Sequence, residues 1–262
     1  MNILTEIYTV YLDKCKHKSD INEHLQVLKE LAEECEIIAE LGVRNVVSSW
    51  AFAAGLLKNN STRKILWQND IEKSNDVHNF LEIARAHNIN AVFKEGNDLN
   101  VDIPCIFDMV FIDTWHIYGQ LIRELERYKN KSRKYIVMHD TTVDGIYGEE
   151  IRMGYAHYLI SQNRLESEYP LRQGLSIENG YFENFHKNIE PDLKFLKENY
   201  MKDYLENKSK MNEMTVDDLT TGLWKAVEEF LDKNDDWELM KRYTNNNGLT
   251  ILKRKNNIIQ EI

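Results

Sequence analysis

A chain of 262 residues with 42% hydrophobic content can bury a sizeable core, as one large α/β domain or two small ones. Its formal net charge of −10 argues against binding nucleic-acid phosphates as a main role, and no apolar run reaches the roughly 18 residues of a membrane span. Residues 1–10 lack the basic start and apolar core of a secretion signal, and Cys15, Cys35 and Cys105, an odd set without CxxC spacing, read as reduced structural thiols; a cytoplasmic protein is expected.

Residues 1–35 read as helical: Asp20 and Glu23 have capping-box spacing, and Ile21, Leu25, Leu28, Ala32 and Cys35 recur at helical intervals. The apolar run Ile37-Ile38-Ala39, ending in Glu40-Leu41-Gly42, suits a buried parallel strand followed by a tight turn. Ser48 opens a helix through Leu57. A second strand covers Lys64 to Trp67 and ends near Asp70; Ser74 or Asp76 caps a helix through Phe80, Leu81, Ile83 and Ala84; Ala91-Val92-Phe93 is a third strand. The run from Phe107 to Asp113 is the clearest strand, apolar on both faces as a central parallel strand must be. A helix through Leu121, Ile122, Leu125 and Tyr128 precedes a fifth strand, Tyr135 to Met138, which leads into His139-Asp140-Thr141-Thr142.

Residues 146–215 read as an insertion after that strand and as the candidate substrate-recognition region. Its first part, 145–186, looks irregular, and Leu193, Leu196, Tyr200 and Tyr204 suggest one polar-faced helix. Asp217-Asp218 read as a helix N-terminus, and Leu223, Trp224, Val227, Phe230 and Leu231 form an amphipathic helix. Two strands, 237–243 and 248–253, are joined through Asn245-Asn246-Asn247-Gly248, residues that accept positive φ in a hairpin. The fold class is therefore α/β: a single domain, 1–262, with a doubly wound, mostly parallel seven-stranded sheet closed by an antiparallel hairpin.

Ligands of such sheets bind at the carboxyl ends of the strands, where the candidate residues collect. The turn at Gly42 can face backbone N–H groups toward a ligand's carboxylate or ribose, or can serve the turn alone. Asp70, an acceptor-only carboxylate, suits the two hydroxyls of a ribose, or else caps a helix. Asp113, His116, His139 and Asp140 converge although they lie apart in sequence, and their two carboxylates repel unless a proton or a cation sits between them. Oxygen ligands favour Mg²⁺ or a similar ion, whereas two histidines with one carboxylate would suit the iron of an oxygenase, an alternative that the βαβ pattern opposes.

Glu40-Leu41-Gly42 with Ser48-Ser49, Asp70, the block Phe107 to His116 and the block Tyr135 to Thr142, in that order before a terminal hairpin, resemble the class I S-adenosylmethionine-dependent methyltransferases. Within them the chain is similar to small-molecule O-methyltransferases of the catechol O-methyltransferase and cephalosporin hydroxylase-like groups, over about residues 20–145 and 220–253. The resemblance implies S-adenosylmethionine as cofactor, held by Glu40, Gly42, Ser48, Asp70, Asn97, Asp98, Asp113 and Trp115. It also implies a divalent metal, Mg²⁺ or Mn²⁺, on Asp113, His139 and Asp140, with His116 as general base beside Asp113. An imidazole titrating near 6.5 can take the proton of an acceptor hydroxyl. The implied function is O-methylation of a small molecule, a sugar or sugar-containing metabolite among the candidates, with neither nucleic acid nor membrane as partner and the oligomeric state open. Two departures stand out. Val46 occupies the place of a further family glycine, which leaves a non-catalytic binding module as an alternative, and His139 replaces an acid, which admits Mn²⁺, Fe²⁺ or Zn²⁺.

Overall fold

The computed structural model describes residues 6–164 and 189–255. Its strands are β1 (Ile37–Leu41), β2 (Ile65–Asp70), β3 (Asn90–Glu95), β4 (Phe107–Ile112), β5 (Ser132–His139), β6 (Trp237–Tyr243) and β7 (Leu249–Arg254). They form one sheet in the order β3-β2-β1-β4-β5-β7-β6. The first five pair in parallel, while β7 runs antiparallel to both β5 and β6. Strand order reverses between β1 and β4, and there the carboxyl ends open a crevice.

β1 and β4 are buried along their whole length, as their two-sided apolar composition requires. Ile38, Met109 and Phe111 enter one core with α1 (Glu6–Lys16), α2 (Leu25–Glu33), α3 (Val47–Lys58) and α4 (Asn75–Ala86). Their alternates Ile37, Ala39, Leu41, Val110 and Ile112 enter a second core, which includes Leu121, Leu125 and Tyr128 of α5 (Tyr118–Tyr128). After β5 come α6 (Glu149–Ser161), α7 (Lys202–Asn212) and α8 (Val216–Thr220), whose apolar faces build a third cluster with Ile117 and Val143. α9 (Leu223–Lys233) returns to the second core.

Several expectations need correction. Asp20 and Glu23 make no capping box: a short 3-10 turn, Asn22–His24, opens α2, and Asp20 pairs instead with Arg44 at 2.6 Å. Ser74 precedes α4 without a capping bond, since its hydroxyl donates to the Arg44 carbonyl. The stretch expected to be irregular contains α6, and its part from 165 to 188 lies outside the described residues. The helix expected through Leu193 and Tyr204 is two helices, parted at Met201 after a π-turn, Leu196–Tyr200. Asp218 does start a helix: it closes a capping box with Thr215.

Candidate functional site

A cavity of about 660 Å³ opens at the carboxyl ends of β1 to β4, a size suited to a small-molecule ligand. Each loop contributes: Gly42 and Ser48 after β1, Asp70 at the end of β2, Asn97 and Asp98 after β3, Asp113 and Trp115 after β4. Gly42 has φ +80°, and a Cβ there would stand 1.9 Å from the Asp113 carbonyl oxygen, so this crossing of two loops admits glycine alone. The amides beyond it are not turned toward a ligand as expected. Val43 and Arg44 both donate to Asp70 Oδ2, at 2.8 and 2.9 Å. Val46 adopts φ +55° as the residue before α3, the left-handed geometry that glycine tolerates best.

Glu40 does not line the cavity. It is fully buried behind the wall, where it accepts from Ser48 at 2.5 Å, Ser49 at 2.7 Å and Gln68 at 2.8 Å. Burial raises its pKa to about 7, against the lowering effect of those three donors. Ser48 reaches the cavity but has its hydroxyl committed to Glu40. Asn97 closes a turn on the Leu99 amide at 2.8 Å. Asp98 is buried and accepts from Gln120 at 3.1 Å. Trp115 donates from its indole to Glu150 at 3.0 Å, and Lys208 lies over its ring.

Behind Asp113 the expected cluster assembles. His116 Nε2 lies 3.2 Å from Asp113 Oδ1 and 3.1 Å from Asp140 Oδ2, while its Nδ1 faces Asp144 at 3.3 Å and Glu149 at 3.7 Å. Burial disfavours its charge, yet Asp140 and the other carboxylates hold its pKa well above the usual value. The titration near 6.5 expected of a general base is therefore shifted upward here, toward the charged imidazolium. His139 is likewise held well above its usual range by Asp140 and Asp113 against burial, and the two histidines in turn lower Asp113 and Asp140 despite burial.

The donor set fits a divalent ion. His139 Nε2 lies 3.2 Å from the Asn246 carbonyl oxygen, so in a neutral ring Nε2 donates there and Nδ1 presents a lone pair. That buried Nδ1 makes no hydrogen bond, and it stands 3.4 Å from Asp113 Oδ1 and 3.2 Å from Asp140 Oδ2. Two carboxylate oxygens facing that nitrogen call for a positive charge there, which a proton on Nδ1 supplies or a divalent ion bound in its place would supply. The ligating atoms of Asp113, His139 and Asp140 lie within 4.8 Å of one another. Asp140 has φ +56° and is fixed by Asn247, whose amide donates to Oδ1 at 2.7 Å. His116, Asp140 and Asp144 meet the same spacing, but Asp144 is engaged by Arg152 at 2.6 and 2.9 Å. Sequence reasoning missed Asp144, Glu149, Arg152, Asn247 and Glu124. Asp144 carried a signal, since it lies four residues beyond Asp140 at the same strand end.

No protein-family profile and no curated protein match the chain. Among solved structures it is similar to an O-methyltransferase from Bacillus cereus in complex with S-adenosylhomocysteine, at 11% identity and a TM-score of 0.51, over 95% of this chain and 89% of that one. A Klebsiella pneumoniae protein to which O-methyltransferase activity is ascribed matches at 13% identity and a TM-score of 0.50, over 95% of this chain and 90% of that one. At such identity the likeness is one of fold, and the chain has the Rossmann-like fold of these methyltransferases, terminal antiparallel pair included.

Proposed function

We propose that the protein is an S-adenosylmethionine-dependent O-methyltransferase acting on a hydroxyl of a small molecule, with a divalent cation on Asp113, His139 and Asp140. One observation carries this: loops after four strands bring Gly42, Ser48, Asp70, Asn97, Asp98, Asp113 and Trp115 to one cavity wall, and the Asp–His cluster stands directly behind Asp113. The fold likeness to a methyltransferase solved with S-adenosylhomocysteine supports it. The bound cofactor would supply an electrophilic methyl group.

In this assignment Asp70 holds the ribose through the oxygen not used by the loop amides, and Asn97 and Asp98 face the adenine edge. Trp115 forms an aromatic wall beside it, and Glu40 acts indirectly by fixing the first turn of α3. Asp113 orients the acceptor hydroxyl, and His116 stands 3.2 Å behind it to receive the proton. Because the surrounding carboxylates favour the charged form of that ring, a divalent ion among them would offset their charge and free the ring to accept a proton. Alignment of the acceptor accounts for most of the acceleration. Glu149, Lys208 and Asn212 add polar groups to the cavity lining, which suits a polyhydroxy acceptor such as a sugar or sugar-containing metabolite, and all three come from the region 146–215 that we assign to substrate recognition.

The test is calorimetric titration with S-adenosylhomocysteine, followed by methyl transfer to a panel of sugars with Mn²⁺ present. Saturable one-site binding and transfer to a hydroxyl are expected. Failure to bind S-adenosylhomocysteine would overturn the assignment, and binding without transfer to any acceptor would favour the binding module.

A further inference from the structure

At the wall of the cavity two acids meet, one lining it and one enclosed behind it. Asp98 is 6% exposed and Glu124, from α5, is 0% exposed, and the two carboxyl groups hydrogen-bond each other. The donors that reach the pair are few, and the charge of Arg127 acts on Asp98 from nearby without a hydrogen bond to it. The Gln120 amide donates both to Asp98 Oδ1 at 3.1 Å and to Glu124 Oε1 at 2.7 Å, and the Thr114 hydroxyl donates to the same Glu124 oxygen. The second oxygens, Asp98 Oδ2 and Glu124 Oε2, receive no hydrogen from any other group among the described residues. The Tyr128 hydroxyl goes to the Asp98 backbone carbonyl at 3.0 Å, and the Arg127 guanidinium donates to the Val101 carbonyl. Two buried carboxylates in this arrangement cannot both be ionised, so one proton must lie between Oδ2 and Oε2.

We propose that Glu124 carries this proton and donates it to Asp98, so that Glu124 is the positioning residue which holds Asp98 ionised and fixed as a hydrogen-bond acceptor for the exocyclic amine of a purine ring. The inference rests on the cofactor proposal above for the identity of the ligand. The proton has one place to sit for geometric reasons. Glu124 Oε1 already accepts from two donors and Glu124 is wholly enclosed, whereas Asp98 lines the cavity and borders solvent through it. Burial and the Asp98 charge raise the Glu124 pKa well above the usual value, and burial raises Asp98 as well. An ionised Asp98 keeps a lone pair for an N–H of the ligand and offers nothing to a carbonyl. The pair would thus prefer a 6-amino purine to its 6-oxo counterpart. Gln120 and Thr114, both on the cavity wall, tie the acid pair to the loop that bears Asp113.

The experiment combines infrared difference spectroscopy with calorimetry on the full chain. Wild type minus Glu124→Gln should show, at neutral pH, the C=O stretch of a protonated carboxyl group that shifts in D₂O. Glu124→Gln preserves both the charge of the pair and a donor toward Asp98, so its affinity for S-adenosylhomocysteine should stay within about threefold of wild type. Asp98→Asn removes the anionic acceptor and should weaken binding about tenfold or more, the range for a hydrogen bond to a charged group. Wild type should bind S-adenosylhomocysteine about tenfold or more tightly than its 6-oxo analogue, S-inosylhomocysteine, and Asp98→Asn should lose that preference. Absence of the protonated-carboxyl band, or an affinity loss in Glu124→Gln equal to that in Asp98→Asn, would overturn the proposal. If wild type shows the band yet binds neither nucleoside, the cofactor proposal falls, and with it the ligand named here.

Discussion

Asp70 spends Oδ2 on the amides of Val43 and Arg44, so it shapes the turn that begins at Gly42 as well as facing the cavity. The two roles can be separated. Asp70→Asn keeps a carbonyl oxygen for the loop amides but loses the negative charge available to ribose hydroxyls, whereas Asp70→Ala loses both. We expect affinity for S-adenosylhomocysteine to fall about tenfold or more in each, corresponding to about 1.5–3 kcal/mol for a charged hydrogen-bond pair, with the thermal midpoint dropping clearly in the alanine variant alone. Unchanged affinity in both, measured calorimetrically, would place the ribose elsewhere. Asp70, Asp113, His116, His139 and Asp140 were legible in sequence because each ends or directly follows a strand that is itself legible. Asn247, Arg152 and Glu124 were not. The bond from Asn247 to Asp140 spans 107 positions, and Arg152 looks like one more polar residue until Asp144 is placed opposite it. Val46 was singled out as a missing glycine, and the reason is physical: its backbone is left-handed, at a cost on the order of 1–2 kcal/mol, while its buried side chain returns a comparable amount to the core.

Glu40 joins three elements, since it sits on β1 and accepts from the first turn of α3 and from Gln68 of β2. Its pKa is raised from 4.5 to about 7, chiefly by burial. Between those values the folded protein holds a proton that the unfolded chain has lost. The stabilising contribution of this group is therefore complete below about pH 4.5 and is lost as pH rises through about 7, a loss of about 3 kcal/mol. Glu40→Gln cannot ionise and should lack that slope. Urea midpoints at pH 5 and pH 8 should thus fall further in wild type than in the variant, and equal falls would mean that Glu40 titrates alike in both states. At this scale most of the fold was readable, because the apolar runs of β1, β4 and β5 are short, two-sided and bounded by turns. α6 was not readable: its inward face carries Glu150 and Arg152 beside Ile151 and Tyr155, an interrupted stripe whose polar members find partners in Lys208 and Asp144. The π-turn before α7 shifts the helical period, so an apolar spacing continuous in sequence belongs to two helices.

For the molecule as a whole, the cluster behind the cavity is a charge imbalance that folding must accommodate. Asp113, Asp140, Asp144 and Glu149 face Arg152 and two histidines across distances of 2.6 to 3.9 Å. Without a metal, protons on the two imidazoles would supply two of the three missing positive charges, with Arg44 close enough to act on Asp113 and Asp140, and one divalent ion carries the same charge as those two protons. An ion that binds the folded state and not the unfolded chain stabilises by mass action, about 2.7 kcal/mol at a hundredfold excess over its dissociation constant. For a chain of this size that is a rise in Tm of about 5–10 °C. Calorimetric scans in Mn²⁺ against excess EDTA should show such a rise in wild type and little or none in Asp140→Asn, which loses a ligand shared by both possible ligand groups. Methyl transfer should stop in EDTA, whereas S-adenosylhomocysteine should still bind, because the residues assigned to its ribose and adenine lie on the loops after β2 and β3 rather than in the cluster. Identical Tm values in Mn²⁺ and EDTA, together with full turnover in EDTA, would remove the metal and leave Asp113 as a hydrogen-bond acceptor between two protonated histidines.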